Sequence, residues 1–189
     1  FLKVYDIMFT GVFGRLFEGK TTLLWRFLQR TAILLCLALA VTPAFKMRFW
    51  NIGGEGQALI GALAAAACMI LMKDQSNLVV IPCMVVTSIL AGAIWGAIPA
   101  FFKAKFGTNE TLFTLMMNYV ATFVVSYFLV IWVPSGSSTL GKLKYGKLPS
   151  FGHEYLVIIL IVALLTVFLY VYLKHSKQGY EISVVGESV

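Results

Sequence analysis

A carboxylate and two amides stand among three glycines in Asn51-Ile-Gly-Gly-Glu-Gly-Gln57, between two long apolar runs. Asn51, Glu55 and Gln57 offer hydrogen-bond donors and acceptors to a polar solute, and Gly53, Gly54 and Gly56 permit close backbone approach. No nucleophile or metal-ligating constellation accompanies them, so the chemistry on offer is recognition of a solute and not the making of bonds. A charged side chain at bilayer depth costs several kcal/mol unless it faces protein or water, which makes Glu55 a functional candidate. Three readings are open. The segment is a turn at the membrane surface, with Lys46 and Arg48 among headgroups and Asn51 capping a helix that begins near Ile52 or Gly53. It is a broken or re-entrant helix whose Glu55 and Gln57 line a wet path. Or it is a polar clamp between helices. So dense an alternation of glycine and polar residues favours the last two. Asn118, beside Tyr119 in a later apolar run, repeats the signal on a smaller scale, as an interhelical hydrogen bond first and a path-lining group second.

The elements that must position these residues follow from composition. Of 189 residues, 60% are hydrophobic and 12% charged, with a mean hydropathy of +0.88, more apolar surface than one soluble core of this length buries. A bilayer about 30 Å thick needs roughly 20 apolar residues in helix. Five stretches meet or approach that: 31–45, 54–72, 78–102, 111–133 and 155–173. An all-α, polytopic membrane protein follows, because open strands cannot satisfy their backbone groups in lipid. The net charge of +7 lies in short segments between the runs. It forms no basic stripe with interleaved aromatics, which argues against nucleic acid as a partner and for the lipid bilayer as surroundings. Cys36, Cys68 and Cys83 share no ligand spacing and read as buried apolar thiols. His153 and His175 lie far apart, so neither a metal nor a cofactor is expected.

Small residues mark helix contacts. Ser88, Gly92, Gly96 and Ala100 recur every four residues, as do Gly53, Gln57, Gly61 and Ala65, and both faces read as tight packing. Between spans, Gly107 turns the chain, Thr108 or Asn109 caps the next helix, and Glu110 complements its dipole. Residues 134–152 read as a long exposed loop rich in Gly, Ser, Pro and Lys. Residues 174–187 form a short amphipathic stretch suited to a soluble partner. Gly14 to Thr21 fits the phosphate-cradling pattern GxxxxGK[ST]. The sequence after it is transmembrane, with no second strand or acidic magnesium partner such as that loop's α/β domain supplies, and the pattern reads as a decoy. The chain opens on Phe1, and its last residues form no helix ending or tail, as expected of part of a longer protein.

Phe49-Trp-Asn-Ile-Gly-Gly-Glu-Gly-Gln-Ala-Leu-Ile-Gly-Ala62 resembles the NIGxEGQ signature of permease subunits of bacterial ABC importers for nucleosides and simple sugars, those served by lipoproteins of the basic membrane protein type. Phe106 to Ala121 is similar to that family's FGxxExxxTxMxNYxA block, and Gly179 to Glu187 resembles the start of its cytoplasmic coupling segment. The likeness covers nearly the whole chain, but only the first half to two thirds of such a permease. It implies one incomplete transmembrane permease domain over 1–189, multi-pass in the bacterial plasma membrane. It also implies partners: an ATP-binding subunit that hydrolyses ATP in this chain's stead, a second permease subunit, a substrate-binding lipoprotein and a small-molecule substrate. Asn51, Gly53, Glu55, Gln57 and Asn118 then belong to the substrate path or its polar framework, and Gly179, Tyr180, Glu181, Val185 and Gly186 to ATPase coupling. Charge counting alone does not orient the spans. The resemblance implies residues 174–189 inside, and residues 1–30 and 134–152 outside. An ion-coupled secondary transporter or channel subunit is the alternative.

Overall fold

Apolar runs of spanning length become helices because a helix satisfies every backbone N–H and C=O within its own segment. The computed structural model describes residues 2–12, 22–133, 139–141, 143, 146, 153 and 155–188. Among them the chain forms α1 (Leu2–Val12), α2 (Thr22–Lys46), α3 (Gly54–Leu71), α4 (Asn77–Phe106), α5 (Glu110–Trp132), α6 (Leu156–His175) and α7 (Lys177–Glu187). No strand occurs among the described residues. Helices α2 to α6 are each long and apolar enough to cross a membrane, and the protein is a polytopic α-helical membrane protein. Two spans outrun their apolar stretches. Helix α2 starts at Thr22, ahead of the expected Thr31, because Arg26 and Arg30 interrupt hydrophobicity without opposing helix. Helix α4 continues to Phe106 through Lys103 and Lys105, whose charges suit the negative end of its dipole.

Helix ends follow local rules. At the end of α2 the Phe49 N–H donates to Ala44 O (3.0 Å) and the Arg48 N–H to Phe45 O (3.0 Å), with Arg48 at φ 55°. This is a Schellman stop with arginine where glycine is usual. Helix α4 stops at Gly107, φ 64°, whose N–H donates to Lys103 O. Asn109 then caps α5, its side chain accepting from the Leu112 N–H at 3.1 Å, as the sequence leads one to expect.

The chain divides into two compact units, residues 1–43 with 149–188, and residues 44–148. In the second, α3 and α4 form a hairpin and α5 packs on α3. The small-residue faces do what their spacing predicts. A Cβ on Gly61 would lie 3.2 Å from Ser88 O, and one on Gly96 would lie 2.8 Å from the Gln57 amide nitrogen. Among the described residues of the loop after α5, Gly146 departs from expectation. It is buried, not exposed. Its N–H donates to Asn77 Oδ1 at 3.1 Å, and a Cβ there would strike Met84 Sδ at 2.8 Å. In the first unit, Trp25 stacks on His153 with centroids 4.1 Å apart, and α7 turns off the end of α6. The Gly14–Thr21 pattern and most of 134–152 lie outside the described residues.

Candidate functional site

Helix α3 begins within the polar segment, so its first N–H groups need acceptors that its own backbone cannot supply. The sequence suggests Asn51 as the cap. In the structure Asn51 Oδ1 accepts from the Gly53 N–H at 2.9 Å, a two-residue turn ahead of the helix. Gly53 is the N-cap and offers no side chain. The acceptor for the helix comes from α5, where Asn118 Oδ1 takes the Gly56 N–H at 2.8 Å. Asn118 Nδ2 simultaneously donates to Ile52 O at 2.9 Å. One amide thus holds both sides of the helix start.

Thr114, one turn before Asn118 on α5, completes the hold. Its hydroxyl accepts from the Ile52 N–H at 3.2 Å and donates to Glu110 O at 2.8 Å. Thr114 and Ala121 are fully buried. Close approach makes the glycines necessary here. A Cβ on Gly56 would lie 2.8 Å from Asn118 Oδ1 and 3.1 Å from Asn118 Cα, and one on Gly53 would lie 3.1 Å from Thr114 Cβ. The sequence assigns Thr114 and Ala121 no role of their own, although both are fixed positions of the FGxxExxxTxMxNYxA block and share one face of α5 with Asn118.

The remaining members divide. Gln57 lies against Gly96 of α4. Glu55 is exposed in the first turn of α3 and has no hydrogen bond or ion pair among the described residues. Beside the motif, Lys103 Nζ and Glu110 Oε2 pair at 2.7 Å. The end of α4 and the start of α5 are thereby tied together. Asn51, Gly53 and Asn118 gather at the start of α3, where Asn118 clamps it to α5, while the Gln57 side chain faces α4.

The second group of candidates belongs to α7 in the other unit. Ser176 caps α7 by accepting from the Gly179 N–H at 2.9 Å. A Cβ on Gly179 would lie 2.5 Å from Leu173 O and 2.6 Å from Tyr172 O, so the α6–α7 corner closes on bare backbone. Gly179 and Gly186 are buried, while Tyr180 (71% accessible), Glu181 and Val185 face outward. Helical folding therefore sorts the stretch into a glycine face turned inward and a mixed apolar and charged face turned out.

Residues 23–189 match the family described as branched-chain amino acid transport system / permease component. The chain belongs to that family. It is similar to the guanosine ABC transporter permease protein of Bacillus subtilis, with 29% identity over 96% of this chain and 53% of that protein. It is also similar to the glucose ABC transporter permease protein of Haloferax volcanii, with 28% identity over 99% of this chain and 52% of that protein. A nucleoside ABC transporter permease protein of Lactococcus lactis is 33% identical over 54% of this chain. The chain thus spans about half the length of the first two relatives. No solved structure matches it significantly. A permease component with five helices long and apolar enough to span among its described residues is a multi-pass protein of the cell membrane.

Proposed function

We propose that the chain forms part of the translocation path of an ATP-driven importer for a nucleoside or simple sugar. The carrying observation is the start of α3, where Asn118 and Thr114 pin the backbone and the Glu55 carboxylate is left exposed with no partner among the described residues. Names of relatives support the substrate class: guanosine, glucose and nucleosides. In this reading a substrate-binding lipoprotein delivers the solute outside, where residues 1–30 and 134–152 lie, and a second permease subunit completes the path. ATP is hydrolysed in a separate subunit that pushes on the outward face of α7, through Tyr180, Glu181 and Val185. The broken α2–α3 region then changes its exposure from one side to the other.

Uptake of radiolabelled nucleosides and sugars by cells expressing the whole transport operon tests the reading. Uptake is expected to require the ATPase subunit and to fail when Glu181 and Gly186 are substituted. Uptake that persists without the ATPase would establish a channel or secondary carrier instead. Glu55→Gln refines the assignment: altered selectivity in a normally assembled complex identifies a substrate contact, and loss of assembly identifies framework.

A further inference from the structure

The α3–α4 hairpin carries two cysteines that the transport reading does not use. Cys68 lies in the last turn of α3 and Cys83 in the second turn of α4, on either side of the short connection at 72–76. Both are free and partly accessible. Cys68 Sγ lies 3.2 Å from Thr87 Oγ1, and that hydroxyl donates to Cys83 O at 2.8 Å. The Cys68 side chain is therefore aimed at the turn of α4 that Cys83 begins. Glycine at 61 brings the same two helices into backbone contact two turns away, so α3 and α4 run close together on the approach to this pair.

We propose that Cys68 and Cys83 are an oxidation-sensitive pair whose disulfide staples α3 to α4. The oxidant is a small-molecule disulfide. One cysteine thiolate attacks a sulfur of that reagent and expels the first small thiol, leaving a mixed disulfide on the protein. The second thiolate attacks the protein sulfur and expels the second small thiol. Two protein thiols are oxidised, one disulfide is reduced to two thiols, and the protons pass to water and the leaving thiolates. The staple sits at the end of the hairpin opposite the Gln57–Gly96 contact, and fixes the sliding of α3 along α4. Its effect on uptake rests on the transport reading, whereas formation of the bond does not.

The test uses the assembled complex in membranes, oxidised glutathione as the probe, and alkylation of denatured protein before and after reduction, read by peptide mass spectrometry. Cys68 and Cys83 are expected to lose alkylation together and regain it with reductant, while Cys36 stays alkylatable throughout. Cys68→Ser is expected to keep Cys83 free of any intrachain bond, and Cys83→Ser likewise for Cys68, with assembly checked by co-purification. Continued alkylation of both thiols after oxidation, or a bond that includes Cys36, overturns the pair. Uptake is expected to fall at least several-fold on oxidation of the unsubstituted protein and not of either serine variant. A bond that forms with uptake unchanged overturns the locking role while leaving the transport reading intact.

Discussion

Asn118 satisfies a donor and an acceptor on a neighbouring helix with one side chain, so its loss leaves two backbone groups unpaired. Each such group costs roughly 1–3 kcal/mol when water does not replace the partner. Asn118→Ala is expected to destabilise the purified complex by about 2 kcal/mol or more, read as a fall in unfolding temperature in detergent. Thr114→Val keeps the shape and removes only the hydroxyl, and a smaller loss of about 1–2 kcal/mol is expected. The glycines give a sharper contrast. Gly56→Ala forces α3 and α5 apart, since the methyl group would lie 3.1 Å from Asn118 Cα. Gly92→Ala meets only Gln57 O at 3.5 Å, an ordinary contact, and gains the helix preference of alanine. Destabilisation by the first and not the second is the expected outcome. Equal effects would show that the α3–α5 approach is looser than the structure has it.

At the scale of the element, the α6–α7 corner is fixed by atoms too close to accept a side chain. The Tyr172 hydroxyl, which donates to Gln178 Oε1 at 2.6 Å, and the Ser176 cap hold α7 at that corner. Gly179→Ala is expected to open the corner, measured as faster amide exchange in α7 with the complex still assembled, and to abolish uptake in the proposed transporter. Unchanged exchange would show that the corner tolerates the methyl group. The spans were legible in the sequence because length and hydropathy decide them locally. The extension of α2 through Arg26 and Arg30 was not, because a helix that leaves the apolar layer has no need of an apolar run. The fold of the polar segment was legible only as a set of alternatives. Glycine and amide content announced a clamp or a break, but the partner of Gly56 lies 62 residues away, and no local pattern selects it. Asn51 shows the same limit in reverse: its type fits a cap, but a backbone turn takes its side chain first.

For the whole molecule, the described contacts group like ends together. Lys103 and Glu110 meet at one end of the second unit, and Asn77 meets Gly146 at the other. The proposed topology places the first group inside and the second outside. Gln75→Cys and Lys105→Cys, each in a background with the native cysteines replaced, test this with a membrane-impermeant maleimide applied to intact cells. Labelling of Gln75→Cys alone is the expected result, and labelling of Lys105→Cys alone would invert the topology. The α3–α5 clamp also bears on how the chain is made. Synthesis proceeds from the N-terminus at about 5–20 residues per second, so the 62 residues between Gly56 and Asn118 correspond to a wait of roughly 3 to 12 seconds. During that interval the first turn of α3 enters the membrane with its N–H groups unclaimed. The ribosome must deliver α4 and α5 as far as Asn118 before the start of α3 can settle, so this motif is an early sequence that becomes a late structure.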